Sequence, residues 1–234
     1  MSEINNLCQL LENNTYPGRG IVLGNTKNNE RVALYFIMGR STNSRNRIFI
    51  EEADGIRTEA YKKEDLEDPS LIIYHPVRES EKGLIVTNGD QTDTILEAFL
   101  NNETFYDALM TREFEPDKPN YTPRISGLLK DDGSYSLSIL KASNDGENCQ
   151  RNFYCYEKAL GKGHFIHTYE KDGNPIPTFN RDPEEVLIED DIDTFANKVW
   201  NALNPDNKIS LFVRYIDSDN YYRQLIFNKH LEEK

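Results

Sequence analysis

The sequence predicts an α+β fold rather than a doubly wound parallel sheet, and three observations carry that expectation. Strand-like segments crowd the first third of the chain, two helical segments fall together in its middle, and a strongly β pair closes it behind a third helix. A regular βαβ alternation would have spread the helices between the strands. The 234 residues are enough for one good core, so a single domain spanning 1–234 is expected.

The early strands are Gly20–Gly24, Val32–Met38, Arg47–Glu51, Leu71–His75 and Leu84–Thr87, each rich in β-branched or aromatic residues or alternating in polarity. Helices are expected from about Asp90 to Leu100 and from about Thr104 to Arg112, each opening on a residue suited to cap it. The clearest alternation is Ser134–Leu140, announced by the turn Asp131-Asp132-Gly133. Tyr135, Leu137 and Ile139 share one face there, and Ser134, Ser136 and Ser138 the other. A helix at about Asp193–Leu203 places Phe195, Val199 and Leu203 at helical spacing. The closing strands are Ile209–Ile216 and Tyr222–Asn228, joined by Asp217-Ser218-Asp219-Asn220.

Hydrophobic residues make up 37 % and charged residues 29 % of the chain, with 13 Tyr and 11 Phe, a composition that folds rather than stays disordered. A net charge of -13 argues against a partner that is a nucleic-acid polymer or a membrane surface, since both need a positive field. The cations are unevenly spread, however. Arg19, Arg40, Arg45, Arg47, Arg57, Arg78 and Arg124 lie in the first 124 residues, whereas Asp182–Asp193 holds seven acidic side chains and no Lys or Arg. That asymmetry points to a small anionic ligand held by the first half. Cys8, Cys149 and Cys155 lack zinc or redox spacing and read as free thiols of a reducing compartment. With neither a basic leader in Met1–Asn14 nor an apolar run near the roughly 20 residues that span a bilayer, a cytoplasmic location is expected.

Five segments can carry chemistry. In Tyr16-Pro-Gly-Arg-Gly-Ile-Val-Leu-Gly24 the glycines permit close backbone approach and Arg19 can fork onto an anion; an ordinary turn entering a strand would look alike. Gly39-Arg-Ser-Thr-Asn-Ser-Arg-Asn-Arg47 sets three guanidiniums among small polar residues, an arrangement whose repulsion a bound anion would relieve, although an exposed loop is the alternative. Pro69–Arg78 delivers Tyr74, His75 and Arg78 beside an apolar run, where a tyrosine is as readily a core residue with a wet hydroxyl. Thr87-Asn-Gly-Asp-Gln-Thr-Asp-Thr94 joins strand to helix; Asn88 and Gly89 suit either a plain helix start or a ligand-lining turn. The Pro-rich loop from Arg112 to Arg124 stiffens the setting of Glu115. His164 and His167, three apart in a strand, point to opposite faces, and no metal set is read from them.

Taken together and in order, YPGRGIVLG, GRSTNSRNR, DPSLIIYHPVR, TNGDQTDT and EFEPDKPNYTPRI closely resemble the IMP cyclohydrolase family first known from archaea. The likeness runs from Tyr16 to Arg124 and weakens beyond about Gly127. It implies a fold like that of the N-terminal-nucleophile hydrolases, two stacked and mostly antiparallel sheets between helical layers. It also implies closure of formamidoimidazole carboxamide ribonucleotide to IMP, a reaction that needs neither a redox cofactor nor a metal, and it suggests a homo-oligomer. By motif, the resemblance assigns catalysis to Arg47, Tyr74 and Glu115, and places Arg19, Arg45, Arg78, Asn88, Gly89 and Arg124 against the substrate. The Arg-rich loop is longer here than the family's pattern, so Arg45 is the alternative to Arg47. Two other readings stand beside this one: a purine-nucleotide-binding protein without turnover, and an amide hydrolase using Ser2 as its nucleophile.

Overall fold

The computed structural model describes residues 4–66, 69, 72–143 and 146–232. One sheet has six strands: β1 (Arg19–Asn25), β2 (Arg31–Met38), β10 (Lys162–His167), β11 (Glu184–Leu187), β12 (Lys208–Ile216) and β13 (Tyr222–Asn228), in the order β11-β10-β1-β2-β12-β13. The other has seven: β3 (Ile48–Glu52), β4 (Gly55–Glu59), β5 (Val77–Ser80), β6 (Gly83–Thr87), β7 (Arg124–Leu129), β8 (Tyr135–Ala142) and β9 (Cys149–Tyr156), lying in sequence order. Every neighbouring pair is antiparallel, as the α+β reading expects.

The sheets stack face to face. Ile21, Leu23, Tyr35 and Ile37 of the six-stranded sheet meet Phe49, Val77, Val86, Ile125 and Leu137 of the other. Helices α1 (Leu7–Asn13) and α5 (Ile192–Ala202) cover the outer face of the first sheet, where Leu7, Leu11, Phe195 and Val199 pack on Val22, Leu34 and Phe36. Helices α3 (Gln91–Leu100) and α4 (Phe105–Met110) cover the second through Ile95, Phe99, Phe105 and Leu109. Strand β2 is therefore buried on both faces along its whole length, which is why its sequence is a continuous apolar run rather than an alternation. Each fully buried Leu, Ile or Phe there contributes about 1.5–3 kcal/mol. Two α-helices are short, α2 (Thr42–Arg45) and α6 (Lys229–Glu232).

Three local expectations need correction. Leu71 lies outside the described residues, and Ile72–His75 form no strand: the amides of Ile72 and Ile73 turn back onto the Pro69 carbonyl, and the strand begins only after Pro76. Proline at 76 has no N–H for a ladder, so the apolar run is spent on a tight turn instead. Asp90 stands at the start of α3 but makes no cap, its carboxylate being drawn to Arg112 and Arg124. The alternation over Ser134–Leu140 implies a serine face that is wet or covered by polar neighbours, yet Ser138 at its centre is buried, on the face where Leu140 packs with the apolar side chains of α3 and α4. Thr104 caps α4 with Asp107 reciprocating, as its sequence predicts, and α5 takes its cap from Asp191. Among the described residues no helix is long and apolar enough to cross a membrane.

Candidate active site

The site is assembled at one end of the space between the sheets, from chain segments far apart in sequence. Gly18 adopts φ +80°, and a Cβ there would lie 2.2 Å from Thr168 Oγ1, so only glycine admits this turn into β1. The turn sets Arg19 on the inner face, its backbone pinned by an amide donating 3.1 Å to Thr168 Oγ1 and a carbonyl accepting 3.0 Å from Thr168 N. Arg47 arrives from the Arg-rich loop. That loop folds into the single turn of α2, closed by reciprocal Ser41 and Ser44 bonds, and Arg47 Nε donates 2.8 Å to the Ser44 carbonyl. Arg45 is the last residue of this turn. It is exposed, donates to the Gly39 carbonyl and Asn207, and faces an open surface cavity of about 530 Å3 shared with Arg40, Tyr61, Lys62 and His230.

Tyr74 is held by Thr58, whose hydroxyl accepts from Tyr74 N at 2.9 Å and donates 2.6 Å to the Ile72 carbonyl. Its phenol meets the Tyr35 phenol of β2 at 2.9 Å. Glu115 hangs in the Pro-rich loop, its amide donating 2.9 Å to the Thr122 carbonyl. Thr122 is in turn gripped by the Asp117 carboxylate, through its amide at 2.6 Å and its hydroxyl at 2.5 Å, and its hydroxyl also meets the Tyr169 hydroxyl at 2.6 Å. Tyr169 stacks on Tyr16 with ring centroids 5.7 Å apart.

These groups share one nearly water-free environment: Arg47 is 1 % exposed, Glu115 3 %, Tyr74 4 %, and Arg19 9 %. Burial pushes the Glu115 carboxyl up, with help from Asp117, against the downward pull of Arg19, Arg124 and Arg47. Burial and the neighbouring Arg19 charge both work against the Arg47 cation. For Arg19 burial is again unfavourable, but Glu115 and the phenols of Tyr169, Tyr74 and Tyr16 outweigh it. The Tyr35 phenol is raised well above its ordinary value by burial and by Tyr74, and that of Tyr169 is pushed up to about 12, chiefly by burial. Two guanidiniums and one carboxyl thus leave a buried excess of positive charge. Among the described residues, the Nη1 and Nη2 of Arg47 and the Nε of Arg19 have no hydrogen-bond partner. Buried donors are ordinarily satisfied, and an anionic or carbonyl-bearing ligand would satisfy these.

The remaining expected residues divide. Arg124 reaches toward Glu115 electrostatically, while its Nη1 is fixed by Asp90 at 2.6 Å and Gln91 at 2.8 Å. Gly89 makes room for it, since a Cβ would stand 2.6 Å from that Nη1. Asn88 is spent on structure: its amide donates to the Pro123 carbonyl, and its oxygen accepts from Ile125 N and Gln91. Arg78 is engaged elsewhere, clamped by Asp54 at 2.6 Å and by Asp93. Ser2 lies outside the described residues. Sequence reasoning passed over Tyr35, Tyr16 and Tyr169. Tyr35 sits in an apolar strand and reads as core; only Tyr16, next to the first glycine-rich segment, carried any signal.

Comparison with known proteins bears on the same stretch of chain. Residues 16–220 match the model of a family described as IMP cyclohydrolase-like protein. The chain belongs to that family. Similar curated proteins include the IMP cyclohydrolase of Methanocaldococcus jannaschii, 29 % identical over 212 residues that cover 87 % of this chain and 95 % of that protein. The IMP cyclohydrolase of Halobacterium salinarum is 27 % identical over 161 residues, covering 67 % of this chain and 74 % of the archaeal one. The family match extends well past Gly127, the point at which the resemblance fades by motif alone.

Proposed function

We propose that this protein is an IMP cyclohydrolase that closes formamidoimidazole carboxamide ribonucleotide to IMP, with Arg47, Tyr74 and Glu115 at the reacting groups and Arg19 beside them. The observation that supports it most is the convergence of Arg19, Arg47, Tyr74 and Glu115 in a buried cluster in which Arg47 Nη1 and Nη2 and Arg19 Nε have no partner among the described residues. The carboxamide nitrogen attacks the neighbouring formyl carbon, and the formyl oxygen leaves as water after gaining two protons, one from each ring nitrogen. Both reacting groups belong to one molecule, so holding the formyl group in the reactive rotamer supplies much of the acceleration. The free Nη groups of Arg47 face the charge that builds on the formyl oxygen. Tyr74 passes a proton to that oxygen, and the Tyr35 hydroxyl, kept protonated by its raised pKa, supports the phenol as it does so. Glu115, raised toward neutrality by burial, exchanges protons at the carboxamide nitrogen. Such acid–base help is worth about 100-fold to 10,000-fold. This reading uses the chain's own residues and no metal.

The test is to incubate purified protein with the formamido ribonucleotide in the presence of a chelator and to follow IMP by ultraviolet absorbance. Formation of IMP well above the uncatalysed rate is expected; a rate no faster than the uncatalysed one overturns the proposal and leaves a nucleotide-binding protein without turnover. Ser2→Ala is expected to leave the rate intact, and its loss would instead favour an amide hydrolase.

A further inference from the structure

The cations lining the inter-sheet space continue beyond Arg19. Strands β1 and β7 touch where Gly127 admits Leu23, since a Cβ on that glycine would lie 2.7 Å from Leu23 Cδ1. Gly127 pairs with Leu137 of β8, which fixes the level of the three strands relative to one another. Four residues back along β1 from Leu23 is Arg19, and four residues on along β8 from Leu137 is Lys141. At about 3.3 Å per residue, with every second side chain on one face, both cations come to the same end of the same space. Asn180 joins them through the backbone: Phe179 N donates to the Thr168 carbonyl at 3.0 Å, and Thr168 N to the Arg19 carbonyl at 3.0 Å.

Lys141 is only 7 % exposed, and its Nζ donates 2.6 Å to the side-chain oxygen of Asn180. Among the described residues no carboxylate lies within ion-pair distance of it. Burial pushes its pKa down; Asp182 opposes this from farther off and is itself engaged with the Tyr154 hydroxyl. A buried ammonium held by one neutral acceptor is costly, and an anion is the partner that would complete it. Asn180 is exposed, so this end of the row opens to water and leaves its amide N–H groups available there.

We propose that Lys141, with Asn180, holds the phosphate of the nucleotide whose base lies against Arg19, Tyr74 and Glu115. The proposal rests on the reading of the buried cluster as a nucleotide site, and names the group that recognises the phosphorylated end. Isothermal titration of the full chain with IMP and with inosine isolates that end. The wild type is expected to prefer IMP strongly; Lys141→Met is expected to cut the IMP-over-inosine preference by about tenfold or more with inosine affinity unchanged, and Lys141→Arg to restore most of it. An undiminished preference in Lys141→Met overturns the phosphate assignment alone. Equal loss of IMP and inosine binding in that variant also overturns it, marking a purely structural lysine. A wild type that binds neither compound overturns the nucleotide site together with its phosphate end.

Discussion

Two buried arginines serve this fold in opposite ways. Arg214 of β12 is 0 % exposed, and its guanidinium is spent: Nε and Nη2 donate to Gln224 at 3.0 and 2.6 Å, Nη1 to Glu79 at 2.6 Å, and its Cζ lies 4.0 Å from the centroid of the Tyr222 ring. Arg47 is buried just as deeply but, among the described residues, its side chain bonds only through Nε, with another arginine as its electrostatic neighbour. One arginine ties β12 to β13 and the facing sheet. The other is held in place by its own loop while its donors are left open. A folded protein tolerates such an incomplete group where something else completes it, so the contrast separates scaffold from site without appeal to the motifs.

Exchange of the two roles should therefore produce the largest effect. Arg47→Met is expected to lower turnover at least about 100-fold while leaving the melting temperature unchanged or higher, because a buried charge with no ion-pair partner among the described residues is removed. Arg214→Met is expected to do the reverse. Its partner Glu79 keeps 48 % of its side-chain exposure, so that carboxylate stays solvated, and the loss of packing and of the Gln224 bonds is expected to cost about 1–3 kcal/mol with turnover nearly intact. Paired melting curves and initial rates check this, and a destabilised Arg47→Met with an inactive Arg214→Met would erase the distinction.

Glu115→Gln is next, with turnover expected to fall about 100-fold. Stability carries an independent sign. The folded-state pKa of Glu115 lies above its ordinary value of 4.5 because of burial, so its contribution is full below that value and is lost as pH rises through the folded pKa. The melting temperature of the wild type should thus decline relative to Glu115→Gln as pH climbs above about 4.5. A gap that widens in the other direction would mean that the surrounding arginines, not burial, govern this carboxyl. Tyr74→Phe is expected to cost about tenfold in turnover and Tyr35→Phe less, since the second phenol acts through the first.

The same contrast explains what the sequence discloses. Grouped strands and helices announce the α+β class, and the hairpin at Tyr222–Asn228 and the capped helix at Thr104 follow from local chemistry alone. The segment before Tyr74 misleads because its apolar run looks like a strand, yet Pro69 and Pro76 turn it into a clip closed by Thr58, a contact with a residue 16 positions away. Arg47 and Arg45 are indistinguishable by composition; Arg45 ends the turn of α2 and is exposed, whereas Arg47, one residue past its C-cap Asn46, is buried. Tyr35 and Lys141 are harder still. Each occupies an inward position of a strand, where a phenol reads as core and a lysine as an isolated oddity, and only the stacking of two sheets shows which end of the space they share.

The smallest effect tests whether the neighbouring Arg124 belongs with Arg47 or with Arg214. Its Nη1 is already paired with Asp90 and Gln91, like a scaffold arginine, whereas its Nε is buried without a partner among the described residues, like one of the site. Gly89 separates the two possibilities because a methyl group there would lie 2.6 Å from Nη1 and 2.7 Å from Gln91 Oε1. Gly89 does not occupy the left-handed region, so alanine would meet crowding rather than backbone strain, and the flexible guanidinium would be the group to move. If Arg124 contacts the substrate, Gly89→Ala is expected to raise KM about threefold to tenfold with kcat and melting temperature little changed. If it only anchors the start of α3, the same change should lower the melting temperature and leave KM alone, which would place Arg124 with the scaffold.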